Sequence, residues 1–372
     1  MIDTSMRKRP IASKTAISLF SGAGGDSLGL KRAGYNVIAF SEFKKPAIET
    51  HLKEFPNSTL ISPDSITNIP DEVFEKYTGI DIIFAGFPCQ GFSNAGKKKA
   101  DDPRNELVHE FVRVVRIIKP RYIIGENVSG LLSRTGNDPV TNTERPVIDI
   151  ICDLFAKIGY NIEYKVLHAT DFGVPQERKR LIMVGSKGVP NMNWNFTSNP
   201  LGIRHFLETH LDGAMEFKKQ DVSAHYWIQT DLTEVTGKPH PNLVRLVNGI
   251  RNKSKDEDGD EDGEKHITVE GGLISFGVRK SSYHGQILDP DLPCKTIICT
   301  YGTCPRLFVG LHNSTTDTYW IRCLSIRELG QIQGFPADYQ WQGNEKEIIT
   351  QIGNAVPPPL CEAVVRRLNG NS

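Results

Sequence analysis

Short apolar runs alternate with helical stretches through the first 185 or so residues, and that alternation restricts the folds open to this chain more than any other feature. Residues 14–20 have the composition of a buried strand, and Ser21-Gly-Ala-Gly-Gly25 that of a turn. A short helix is predicted over 26–34, ended by Gly34, and a second strand over 36–41, closed by Glu42. A third, fully buried strand is predicted over 80–86. Leu107, Val108, Phe111, Val112, Val115 and Ile118 recur at helical spacing and predict a helix over 105–118. Strands at 121–125, 162–168 and 180–185 and a helix at 146–158 continue the pattern. Helices between successive strands cover both faces of a sheet only when the strands run parallel. The fold class is therefore α/β, with a doubly wound, mostly parallel sheet.

From about residue 187 the pattern degrades into Gly-, Pro-, Asn- and Thr-rich sequence with strand-like runs at 294–300 and 306–311. Helical spacing returns from Ser325 to Gln333 and over 355–368. The expected division is a main domain of 1–186 with 321–372, and a smaller, irregular domain of 187–320. Within the latter, the acidic stretch 252–265 is expected to be disordered.

Composition excludes several classes. The 372 residues hold no apolar stretch near membrane-spanning length, and the basic start (Arg7, Lys8, Arg9) leads into too short an apolar run for a signal peptide. An intracellular protein is expected, cytoplasmic or nucleoid-associated in a prokaryote. Seven cysteines without a CxxC pair fit reduced thiols, neither a disulfide framework nor a zinc site. The formal net charge is zero, but seven acids fall within 256–264, and without them 44 basic residues face 37 acidic ones. A locally basic surface facing a polyanion is therefore permitted, though not demanded.

The glycine-rich turn Phe20-Ser-Gly22-Ala-Gly24-Gly25 lets backbone amides approach a ligand closely. Ser27 stands where a dinucleotide fingerprint needs its last glycine, and Glu42 lies where a carboxylate can accept from ribose hydroxyls. A dinucleotide, S-adenosylmethionine and a purely structural turn all remain open at this point. Phe43 could stack on adenine and Asp64 could accept from its amine, or both could be structural. Cys89, in Gly86-Phe-Pro-Cys-Gln-Gly-Phe-Ser93, follows a central strand and opens a loop carrying Lys97-Lys98-Lys99. It is either a buried small hydrophobe or a nucleophile whose loop closes over a polyanion. Glu126 ends the next strand, as helix cap or proton donor. Arg178 and Arg180 lie two apart and face one side, which is either a solvated face or a binding one.

Together these segments resemble the DNA cytosine-5 methyltransferase family, of the restriction–modification type. The pieces occur in the family's order: Phe20-x-Gly-x-Gly, Pro88-Cys89-Gln90, Glu126-Asn127-Val128, Gln176-x-Arg178-x-Arg180, Arg322-x-Leu-Ser-x-Arg327-Glu328 with Gln333-Gly-Phe-Pro336, and Gln351-Ile-Gly-Asn354-Ala-Val-Pro357. The likeness covers about 14–187 and 320–368. Asn105 and Gly330-Gln331-Ile332 depart from it, away from the chemistry. The resemblance implies S-adenosylmethionine as cofactor, S-adenosylhomocysteine as product, and no metal. Phe20, Gly22, Gly24, Glu42, Phe43, Asp64, Pro88, Leu107 and Asn354 would line the cofactor pocket. Cys89 would be the nucleophile and Glu126 the acid, with Arg178 and Arg180 holding the cytosine. Gln90, Ser93 and Lys97 would contact DNA from the loop 90–105. Region 187–320 would be a target-recognition domain, with Arg279, His284, Tyr301 and Thr303 reaching base edges.

The chemistry implied is thiolate addition to carbon 6, which makes carbon 5 enamine-like. A protonated Glu126 would donate to N3 and an arginine would steady O2. The reacting edge lies inside a duplex, so the base must be extruded. The partners implied are double-stranded DNA and a cognate restriction endonuclease acting on the same site, with the chain itself a monomer.

Other readings are disfavoured. The tRNA branch of the family carries Cys-Phe-Thr before its last motifs, which is absent here. A catalytically inactive DNA-binding homologue does not fit an intact Cys89, Glu126, Arg178 and Arg180. A nicotinamide enzyme does not fit Ser27. Asp258-x-Asp260-x-Asp262-Gly263 opens like a calcium loop, but Val269 stands where the closing Glu belongs.

Overall fold

The computed structural model describes residues 14–88, 107–137, 143–188, 192–197, 200–217, 222–248, 268–270, 272–275 and 285–368. The chain divides into two compact units. The first comprises 1–166, 181–194 and 361–372, and the second 167–180 and 195–360. Segments 167–180 and 321–360, expected in the main domain, therefore belong to the second unit. Among the described residues no helix is long and apolar enough to cross a membrane.

In the first unit, β1 (Thr15–Leu19) leads to α1 (Gly25–Arg32), β2 (Asn36–Ser41), α2 (Lys45–Glu54), β3 (Thr59–Leu60), α3 (Asp71–Glu75) and β4 (Ile82–Ala85). After α4 (Leu107–Ile118) come β5 (Tyr122–Val128), a short pair β6 (Thr135–Asn137) and β7 (Glu144–Pro146), α5 (Val147–Ala156) and β8 (Asn161–His168). Beyond β9 (Gln176–Glu177), β10 (Lys179–Ser186) completes a seven-stranded sheet of order β3-β2-β1-β4-β5-β10-β8. The pairs β2–β3, β1–β2, β1–β4 and β4–β5 are parallel. From β1 the chain steps outward to β2 and β3, then returns to lay β4 on the other side. The crevice at such a reversal is where open α/β sheets hold ligands.

Register fixes the two faces. Ser18 pairs with Phe84 and Phe84 with Ile124, so these three, and Glu126 two residues on, share one face. Ile17, Leu19, Ile83, Ala85 and Ile123 take the opposite face and join one core with Phe111, Val114 and Val115 of α4 and Ile148, Ile151 and Phe155 of α5.

The second unit is more regular than its composition suggests. Strands β11 (Met215–Glu216), β12 (Trp227–Gln229), β13 (Thr268–Glu270), β14 (Leu273–Ser275), β15 (Gly285–Ile287), β17 (Leu307–Asn313) and β18 (Thr318–Cys323) form a second sheet, of order β11-β18-β17-β15-β14-β13, with β12 on β17. Central β17 is covered on both faces. Leu307, Val309 and Leu311 enter one apolar cluster and Phe308 another, which explains its unbroken apolar sequence. A two-residue strand β16 (Cys294–Lys295) pairs with β9, α6 (Pro241–Val247) joins the second cluster, and α7 (Ile326–Ile332) and α8 (Glu345–Asn354) the first. The chain closes on α9 (Pro358–Leu368).

The Arg322-x-Leu-Ser-x-Arg-Glu motif explains itself here. Arg322 forks onto Glu328 at 2.8 and 2.7 Å with both side chains fully buried, while Ser325 and Glu328 close the start of α7 as a capping box. The motif is structural.

Candidate active site

The turn after β1 is held in a costly shape. Phe20, a non-glycine residue, sits at φ +55°, and Gly22 and Gly24 at +54° and +86°. Gly24 has a second reason to lack a side chain: a Cβ there would lie 2.6 Å from Phe55 and 2.9 Å from His51. His51 is buried, stacks on Phe40 with ring centroids 3.7 Å apart, and meets the Ser27 hydroxyl through Nε2 at 3.0 Å. Burial without a countercharge drops its pKa to about 3, so the ring is neutral. These supports beneath the turn were not foreseen; the one sequence hint was a lone His in the apolar face of a helix.

Glu42 faces the turn from the end of β2. One carboxylate oxygen accepts from the Gly22 amide at 2.9 Å, and the other from Phe43 and Lys44 at 2.9 and 2.8 Å. Three of its roughly four acceptor positions are thus used, and it acts first as a clamp on the turn. Phe43 is 59% exposed and offers an uncovered apolar ring. Asp64 is exposed and accepts from Ser62 at 2.8 Å. A glycine turn free of bulky side chains, a carboxylate, a bare ring and an exposed acid suit a nucleoside-bearing cofactor. Leu107 begins α4 and packs on the core. Asn354 ends α8 in the second unit, with its side chain exposed.

At the ends of the neighbouring strands, Leu19, Ala85 and Gly125 lie in one row. The glycine turn, Gly86-Phe87-Pro88 and Glu126 therefore emerge side by side. Phe87 buries its ring near Phe111, with centroids 6.0 Å apart. Its carbonyl accepts from the Asn127 side-chain amide at 3.1 Å, and Asn127 in turn accepts from the Val128 amide at 2.8 Å. Asn127 thus ties the segment leading to Pro88 onto β5, beside the buried Glu126. Glu126 lies within β5, not beyond its end as the sequence suggested. Cys89, Gln90, Ser93, Lys97, Arg279 and His284 lie outside the described residues, as does the acidic run 252–265.

Three motifs meet inside the second unit. Gln176 donates to Gln333 at 2.6 Å and accepts from the Ile297 amide at 3.0 Å, and Gln333 donates to the Ala355 carbonyl at 2.7 Å. Arg178 donates to the carbonyls of Ile297, Gly353 and Ala355 at 3.2, 3.0 and 2.9 Å. All three side chains are buried. Gly353 permits the approach, since a Cβ would lie 2.4 Å from the Cys299 amide nitrogen. The expectation that Arg178 holds a cytosine is corrected: its guanidinium is committed to backbone carbonyls inside the unit. The sequence puts Arg178 and Arg180 on one side, solvated or binding, and the Arg178 side chain is buried. Arg180 is half-buried and donates to the Lys179 carbonyl at 2.7 Å.

Tyr301 is also corrected. Its hydroxyl donates to the Leu307 carbonyl at 2.7 Å and accepts from the Leu324 amide at 2.9 Å, with the ring in the core, so it has no base edge to read. Thr303 is exposed on the following turn. Glu208, His210 and Glu328 have ligand atoms within 4.8 Å of one another, the geometry of a metal cluster. Arg322 on Glu328 and Arg327 on Glu208, at 3.2 Å, already meet that charge.

Comparison with known proteins agrees with this arrangement. The profile of the family described as C-5 cytosine-specific DNA methylase matches residues 14–370. The type II methyltransferase M1.HphI of Haemophilus parahaemolyticus is 32% identical over 368 residues, covering 96% of this chain and 88% of that protein. M.FnuDI of Fusobacterium nucleatum is 32% identical over 359 residues, covering 95% and 93%. Among solved structures, a prophage-encoded DNA modification methyltransferase from E. coli aligns with a TM-score of 0.62 at 23% identity, covering 96% of this chain and 99% of that one. The Dnmt2 methyltransferase of S. pombe aligns with 0.60 at 16%, covering 96% and 98%; these two likenesses speak to the fold alone. The chain belongs to the C-5 cytosine-specific DNA methylase family.

Proposed function

We propose that this protein methylates carbon 5 of cytosine in duplex DNA, with S-adenosylmethionine as methyl donor and a transient bond from the Cys89 sulfur to carbon 6 of an extruded base. The observation that carries this reading is the row at the carboxyl ends of β1, β4 and β5. It sets the glycine turn, the Pro88 segment and the buried Glu126 next to one another.

The cofactor supplies an electrophilic methyl group on a sulfonium. The chain supplies the rest. Gly22 and Gly24 would let the backbone of the turn approach the cofactor without side chains in the way, Phe43 would cover its purine, and Glu42 and Asp64 would accept from a hydroxyl and the amine. The Cys89 thiolate adds to carbon 6, and Glu126 gives a proton to N3, so the ring's π electrons gather at carbon 5. Arg180 steadies O2. After methyl transfer a base takes the carbon 5 proton, the thiolate leaves, and N3 returns its proton to Glu126. Asn127 keeps the nucleophile's segment and Glu126 in fixed relation, which is worth more than either group alone.

The second unit serves as target-recognition domain, with Thr303 among its contacts. The type II relatives support a restriction–modification role, in which a cognate endonuclease shares the target site and the enzyme works as an intracellular monomer. Tritiated methyl transfer to plasmid DNA and to bulk tRNA tests the substrate: label is expected in DNA, at carbon 5 by bisulfite sequencing. Label confined to tRNA would overturn the reading. Glu126→Gln should lower kcat by roughly two orders of magnitude or more with substrate binding largely kept.

A further inference from the structure

The proposed mechanism leaves one buried acid unused. Asp26 is the second residue of α1, directly after the glycine turn, and is 3% exposed. Its carboxyl accepts from the Ser18 hydroxyl of β1 and from backbone amides at the start of α1. Its carbonyl accepts from the Cys361 thiol of α9 at 3.3 Å. Ser18 shares a sheet face with Glu126, the acid of β5 whose proximity adds a small upward push on the Asp26 pKa. From α2, His51 is neutral and bonds to the next residue, Ser27. Cys361 stays a thiol, its pKa raised well above the ordinary value by burial. Among the described residues no lysine or arginine answers Asp26. A carboxyl so placed stays protonated until near neutrality, its pKa raised to about 7 chiefly by desolvation.

We propose that Asp26 is the group by which this unit distinguishes a cationic cofactor from its neutral product. When a sulfonium occupies the pocket at the glycine turn, the Asp26 carboxyl releases its proton to bulk water and becomes the buried countercharge. When the methyl group has left and the sulfur is a neutral thioether, the carboxyl takes a proton back. A positive charge at the turn that directly precedes Asp26 acts on a buried acid, because little solvent screens it. The cycle balances: the arriving positive charge displaces a fraction of a proton from the Asp26 population, and the loss of that charge restores it. Product release is thereby favoured, since the thioether lacks the countercharge interaction that holds the donor.

This proposal rests on the cofactor reading above, and its test separates the two. Titration calorimetry of the full chain with S-adenosylmethionine and with S-adenosylhomocysteine, in buffers of different ionisation enthalpy, counts protons directly. Net proton release is expected for the donor near pH 7, and none for the product. The affinity ratio of donor to product should rise roughly three- to tenfold from about pH 6 to 8, as a displacement of half to one pKa unit requires, and then level. Asp26→Asn, checked for folding by circular dichroism, should flatten that ratio. Ser18→Ala keeps the carboxyl but removes a hydrogen bond that favours its ionised form, so the rise should move to higher pH. Equal proton counts for both ligands, or an undiminished pH dependence in folded Asp26→Asn, would overturn the role of Asp26 and leave the cofactor reading standing. Failure of both ligands to bind would overturn both.

Discussion

Gly24 answers two constraints at once, a left-handed backbone and the absence of room beside Phe55 and His51. Gly24→Ala should therefore cost about 2 kcal/mol or more by urea unfolding, from strain and overpacking together. An unchanged midpoint would mean the turn is not clamped as described. The two buried titrating groups beneath the turn pull stability in opposite directions with pH. His51 has a folded pKa of about 3 against 6.5 when exposed, so its contribution is full above pH 6.5 and is lost as pH falls toward 3. Asp26 has a folded pKa of about 7 against 3.8, so the folded state loses stability as pH rises from 3.8 through 7. Between those limits the effects oppose. With Asp26→Asn only the His51 effect remains, and stability should climb more steeply between about pH 4 and 6.5 than in the parent protein, by urea midpoints. Identical profiles for variant and parent would contradict that assignment.

Elements set by local pattern were legible in the sequence, and elements set by distant partners were not. The strand expected at 36–41 is found at Asn36–Ser41, because apolar alternation and flanking turns suffice to define it. The run 294–300 has strand composition, yet only Cys294–Lys295 pairs. Gln176 and Arg178 take the Ile297 amide and carbonyl, so no ladder can use them. The same contacts explain why Arg178 was misplaced: a run of polar residues resembles a solvated face unless its buried carbonyl partners are known. The two arginines should separate experimentally. Arg178→Ala should cost about 3 kcal/mol or more, leaving three buried carbonyls without a charged donor. Arg178→Lys should recover little, since an ammonium cannot reproduce the planar fork. Arg180→Ala should leave the urea midpoint nearly unchanged while lowering methyl transfer. The reverse pattern would return Arg178 to the base.

At the scale of the whole chain, the doubly wound sheet and the order of its motifs were open to sequence reasoning, because strand–helix alternation dictates parallel pairing. The regular second sheet was not, because its strands of two to seven residues are separated by turn-rich sequence and bury apolar side chains on both faces of β17. Gln176, Arg178, Gln333 and Gly353, which the sequence reading assigns to the main domain of 1–186 with 321–372, pack together within the second compact unit. A chain of zero net charge must hold a polyanion through locally clustered lysines and arginines, so DNA affinity should fall steeply with salt, which filter binding at two ionic strengths would register. Covalent catalysis by Cys89 can be caught by trapping on duplex DNA that carries 5-fluorocytosine, where fluorine blocks the loss of the carbon 5 substituent that frees the enzyme. With S-adenosylmethionine present, a denaturation-resistant adduct is expected, and mass spectrometry should place the oligonucleotide on the peptide holding Cys89. Absence of an adduct with every duplex sequence tried, or attachment at another residue such as Cys299, would contradict the claim.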